Sequence, residues 1–145
     1  MGIEVKVTDN SKEYLAALDD AVERALEACG MQAEGHAKVE ISNKPKRVDT
    51  GLLRNSITHA VSGKPAAIGS YSADKPKKGK ENSGSYSGQA PDEKNKAVWI
   101  GTNVEYAPYV HDGTSKMAAN RFLKNAVVKN KDEYKAIIEQ QLKNG

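Results

Sequence analysis

Apolar residues recur along the chain in two rhythms. Ile3-Glu4-Val5-Lys6-Val7 alternates apolar and polar, which is strand spacing. From Leu15 the spacing widens: Leu15, Leu18, Val22, Leu26 and Cys29 follow at steps of three and four, with Ala25, Ala33 and Ala37 on the same stripe. That pattern predicts one long amphipathic helix reaching about residue 42. Asp9, Asn10 and Ser11 offer its caps, and Asn43 to Pro45 end it. Gly30 and Gly35 fall inside it and weaken it by about 1 kcal/mol each relative to Ala. Asp49 or Thr50 is expected to cap a short helix containing Leu52 and Leu53. Residues 57–61, 66–71 and 97–101 read as strands of one antiparallel sheet. A short helix over 105–111 follows, with Pro108 in its first turn. A last helix starts at Asn120 as cap and presents Phe122, Leu123, Ala126, Val127, Tyr134, Ile137, Ile138 and Leu142 on one side.

The stretch 73–95 has no aliphatic residue larger than Ala and is dominated by Lys, Gly, Ser, Asn and Pro. Such a composition buries too little apolar surface to offset its ordering entropy, so a long basic loop or an arm is expected. The fold class is therefore α+β: a long N-terminal helix and a C-terminal helix packed on a small antiparallel sheet, with a long basic loop. Residues 1–145 form a single domain, in which 63–96 contains an inserted flexible basic loop.

Charge adds detail. The formal net charge is +3, from 22 basic and 19 acidic side chains. Residues 63–96 hold seven lysines against four acids, so the rest of the chain balances. Residues 11–43 hold seven acids and three bases, and residues 116–145 hold seven bases and three acids. The two ends are electrostatic opposites. Asp19, Asp20, Glu23 and Glu27 are thus candidates for a subunit interface with Lys124, Lys129, Lys131 and Lys135. Lys75, Lys77, Lys78 and Lys80 form a candidate contact loop for a partner or for DNA; a solvated loop is the plainer reading.

Chemistry is sparsely signalled. His36, His59 and His111 do not stand at metal-ligand spacing with each other or with Cys29, the single cysteine. Cys29 falls at an apolar helical position and reads as core. Asp49-Thr50-Gly51 has the residue order of an aspartic-protease triplet, but those enzymes need two such lobes. A helix cap fits better. No glycine-rich phosphate loop and no run of about 18 apolar residues is present. The expectation is no catalytic residue, no metal, no cofactor and no membrane span.

Two stretches carry a resemblance: VDTGLLRNSI after the long helix, and VWIGTNVEYAPYVHDGTSKMAANRFLKNAV. In order and spacing they resemble the bacteriophage tail-component family, which comprises the tail completion, head–tail joining or neck proteins of long-tailed phages. The likeness covers about residues 10–62 and 96–142. It differs in having Asn120-Arg121 before Phe122, where the family commonly has Arg-Pro. It implies a non-enzymatic virion protein, assembled in the host cytoplasm, that builds a homo-oligomeric ring (hexamer or dodecamer) between portal and tail. Its partners would be other neck and tail proteins, with non-specific contact to DNA in the lumen as one role for the lysine loop. Tyr106, Tyr109 and His111 would form an amphipathic cluster near the sheet edge. A small non-specific DNA-binding protein is the alternative reading.

Overall fold

The 3.6-residue stripe becomes the backbone of the architecture. The structure, a computed structural model, describes residues 2–6, 16–43, 49–86, 88–92, 94 and 96–144. Its first strand is β1 (Gly2–Lys6), followed by helix α1 (Ala16–Glu40). α1 has 25 residues and so runs roughly 37 Å. The capping expectations at Asp9, Asn10 and Ser11 lie outside the described residues. Val22, Leu26, Cys29, Ala33, Ala37 and Ile41 are buried on one side of α1, and Met31, Gly35 and Val39 are exposed on the other.

A short helix α2 (Leu52–Ser56) leads into β2 (Thr58–Val61). The clearest strand of the sequence is the middle of the sheet: β5 (Ala97–Gly101) pairs antiparallel with β1 on one edge and with β2 on the other. Val98 stands opposite both Val5 and Val61. α1 lies across this sheet, and the buried Val98 and Ile100 of β5 join its apolar side in the core.

Two expectations about strands are corrected. The 66–71 segment does not join this sheet. Its end forms β3 (Ser70–Ser72), which pairs with β4 (Ser83–Ser85) as a separate two-stranded ribbon. The stretch 73–95, read as loop throughout, therefore contains a strand. Tyr71 explains the ribbon. Its ring lies against Gly84, where a Cβ would come within 2.5 Å of the hydroxyl, and it tilts onto Tyr86 with centroids 5.3 Å apart. Only a residue without a side chain allows that approach.

The C-terminal third is α3 (Ala107–Asp112), α4 (Phe122–Val128) and α5 (Lys131–Asn144). One last helix was expected; the structure has two, broken at Lys129 and Asn130. Tyr134 and Asn130 both donate to the carbonyl of Ala126, through the hydroxyl at 2.6 Å and through Nδ2 at 2.9 Å. These bonds occupy the carbonyl left open where α4 ends. Asn120 does not cap α4: its side-chain amide donates to the Glu40 carbonyl at the end of α1, 3.1 Å away. α4 and α5 run back along α1, and Phe122, Leu123, Ala126 and Tyr134 complete the core. Burying a residue such as Phe122 or Leu26 contributes about 1.5–3 kcal/mol.

Candidate functional site

The two motif stretches meet. Gly51 adopts φ 88, a left-handed conformation, and turns the chain into α2. The N-cap of this helix is Gly51, with no side-chain cap bond, and not Asp49 or Thr50 as expected; Thr50 still accepts a hydrogen bond from the Leu52 amide at 3.3 Å. Asp49 does not. Its carboxylate instead takes Lys77 and Lys80, the latter at 2.6 Å, which ties the 75–80 segment to the start of the motif. Hydrogen bonds from Lys77 first, then Lys80, hold the Asp49 carboxyl down at about 2. The backbone amide of Lys75 donates to the Thr50 carbonyl at 3.0 Å, and Arg54 pairs with Asp74. Asn55 donates to the Ser72 carbonyl at 2.8 Å and to Asp74 at 3.0 Å. On its far side the ribbon is pinned by Tyr71, which donates to Asn103 at 2.6 Å, while Asn103 donates to the Ser85 carbonyl at 2.7 Å.

Between α2, the 80–81 turn and α3 lies an open cleft of about 530 Å³. Leu52, Leu53 and Val110 supply apolar lining, and Asp49, Lys80 and Tyr106 supply polar groups. The cleft thus combines residues of VDTGLLRNSI with residues of YAPYV. Of the four loop lysines, Lys77 and Lys80 are engaged with Asp49, Lys75 is anchored through its backbone, and Lys78 is exposed.

The expected cluster of Tyr106, Tyr109 and His111 divides. Tyr106 borders the cleft, Tyr109 is exposed, and His111 is buried. The Lys124 amide donates to His111 Nε2 at 3.3 Å, which leaves Nδ1 to donate to Asp112 at 2.8 Å. Phe122 packs edge-on against the ring, with centroids 5.4 Å apart. This histidine joins α3 to α4.

The other two histidines also join elements. His36 Nε2 pairs with Glu133 at 2.8 Å, between α1 and α5. His59, on β2, is held at both ring nitrogens by α1: Nε2 with Glu27 at 2.7 Å and Nδ1 with Glu34 at 3.2 Å. Gly30 makes room for it, since a Cβ there would stand 2.6 Å from His59 Cδ2 and 2.9 Å from Val98 Cγ2. The hydrogen bond to Glu34, aided by Glu27, raises the His59 pKa despite burial. The same contact lowers the Glu34 carboxyl, against its own burial. No local pattern announces this clamp, because Glu27 and Glu34 are distant from His59 along the chain and only the helical step of seven sets them on one side of α1.

Cys29 is buried as expected. Its thiol donates to the Tyr134 carbonyl at 3.6 Å, and burial pushes its pKa up to about 11, away from a reactive thiolate. Among the described residues no group of three or more His, Cys, Asp or Glu is placed to hold a metal ion, and no helix is long and apolar enough to cross a membrane.

The oppositely charged ends meet within one subunit. α4 and α5 pack on α1, and Lys129 pairs with Glu40 at 3.0 Å. Glu27 is engaged with His59. These two residues therefore serve internal contacts. Asp20, Lys124, Lys131 and Lys135 are exposed and Glu23 is half-exposed; the side chain of Asp19 lies outside the described residues. Comparison with protein-family models, with curated proteins and with solved structures finds no match to this chain.

Proposed function

We propose that this chain is a structural subunit of the neck of a long-tailed bacteriophage, forming a ring that connects the portal side to the tail. One observation supports this reading most. The two sequence stretches that resemble the tail-component family lie far apart in the chain, yet Asp49, Leu52 and Leu53 of the first share a cleft with Tyr106 and Val110 of the second. Motif residues that converge on one open surface suit a contact site for a neighbouring protein. Each histidine is engaged in joining secondary-structure elements, which suits a scaffold rather than a catalyst.

The DNA-binding alternative loses support from the same geometry. Asp49 pairs with both Lys77 and Lys80 and offsets one of their two charges, so the basic run offers a phosphate backbone less charge than its composition suggests. Antibody labelling of phage particles tests the proposal. Label at the head–tail junction is the expected result. Particles without label, together with tight and salt-sensitive DNA binding by the isolated chain, would favour the alternative.

A further inference from the structure

The turn that connects the two strands of the ribbon is both charged and ordered. Residues 74–81 hold four lysines against Asp74 and Glu81. Asn82 fixes the turn: its Oδ1 accepts from the Lys77 amide at 2.9 Å, and its Nδ2 donates to the Lys77 carbonyl at 3.0 Å. The Lys80 amide donates to the same carbonyl at 3.2 Å. Lys77 and Lys80 are thus held beside the cleft in advance, which lowers the ordering cost of a contact made there.

The charge of these two lysines is only half met. Asp49 gives Oδ1 to Lys77 and Oδ2 to Lys80, so both oxygens of one carboxylate serve two ammonium groups. Each ammonium has three donors, and one is directed at Asp49. The two side chains are 51% and 57% exposed, so their remaining donors can be reached from outside. Arg54 and Asp74 cancel each other, and Lys78 is exposed. Next to this basic rim the cleft is lined by Leu52, Leu53 and Val110. Tyr106 borders it, 40% exposed, close enough to Lys80 and Glu81 to feel both charges. Burial first, and Glu81 next, push the Tyr106 pKa up, so the phenol keeps its proton and stays a donor.

We infer that the cleft receives a segment of a different, neighbouring protein in which an aliphatic or aromatic side chain stands beside two or more acidic residues. The apolar side chain enters between α2 and α3, over Leu53 and Val110 and against the Tyr106 ring. One of its carboxylates joins Asp49 in facing Lys77 and Lys80, and a second reaches Lys78. Complementary charge selects the partner and disfavours a basic one. A DNA duplex would match the lysines, but it presents no apolar side chain to the floor of the cleft. The inference deepens the proposed function by naming the partner's chemistry, and it rests on the reading of this cleft as a contact site.

Selection from a library of random peptides on the full chain, followed by fluorescence anisotropy of the enriched peptides, tests it. The enriched peptides should combine acids with Leu, Ile, Phe or Trp, and high salt should weaken them. Lys77→Glu combined with Lys80→Glu should raise their dissociation constants by about tenfold or more at an unchanged melting temperature. Asp49→Asn removes the acid that competes for both lysines and should tighten binding by about threefold. If the double reversal lowers the melting temperature, Lys78→Glu decides in its place, with a loss of about threefold expected. Failure to enrich acidic peptides, or binding indifferent to these charges, overturns the inference. A short DNA duplex bound more tightly than every enriched peptide also overturns it, in favour of nucleic acid. Particle labelling reads the neck function separately: label at the head–tail junction with a failed selection leaves that function standing without this partner.

Discussion

The inward and outward sides of α1 treat the same residue type in opposite ways. On the inward side, at Gly30, a histidine ring fills the space a side chain would take. That ring is then fixed by two carboxylates from the helix it touches. Here glycine is a packing requirement, and the cost to the helix is offset by the contact it permits. On the outward side, at Gly35, the space is open and the neighbours are apolar. Glycine there has no return within the subunit. A residue's role thus depends on what approaches it, and sequence position alone did not separate the two.

The largest effect that would break this comparison is at Gly30. Gly30→Leu forces a side chain into His59 and Val98, both held in place, and should destabilise the subunit by about 1–3 kcal/mol or more, read by denaturant unfolding. A neutral result would mean that the inward approach is loose. Next comes the clamp itself. Because the folded His59 pKa is raised, its contribution is fully present below the unfolded value of about 6.5 and is lost as pH rises through the folded value. Glu34, whose pKa is lowered, contributes above about 4.3 and loses that contribution as pH falls through its folded value. The melting-temperature gap between wild type and His59→Leu should therefore be widest between these limits and narrow as pH rises through the raised folded value. About 1–2 kcal/mol is expected at its widest, less than a fully buried pair would give because Glu27 is partly exposed. A gap independent of pH would show that the ring acts by packing alone. Smallest, and opposite in sign, is Gly35→Ala. It should stabilise the isolated subunit by up to about 1 kcal/mol, since helix propensity improves and nothing is displaced. Destabilisation would place a contact at Gly35 inside the subunit.

The contrast also marks how far the sequence could be read. The stripe from Val22 to Ala37 and the apolar run of β5 were legible because burial imposes local periodicity. The α+β class follows from them. The ribbon was not legible: Ser70-Tyr71-Ser72 and Ser83-Gly84-Ser85 have little apolar content, and their pairing depends on Tyr71 seated over Gly84. The break between α4 and α5 lacks Gly and Pro, and is made by Tyr134 and Asn130 reaching back to Ala126. At the candidate site, Thr50 was readable as a helix-start residue, but Asp49 was not readable as the partner of Lys77 and Lys80. A cap competes with any cation the fold brings near, and that cation is invisible in a local window. The charge asymmetry of the two ends was visible; which charges serve the subunit internally, as Lys129 and Glu27 do, required the packing of α4 and α5 on α1.

The proposed neck function is tested most directly by a density map of assembled phage particles at a resolution that resolves helices. The account predicts copies of this chain in a closed ring between portal and tail. Density for this chain elsewhere in the particle, or none in it, would contradict the account.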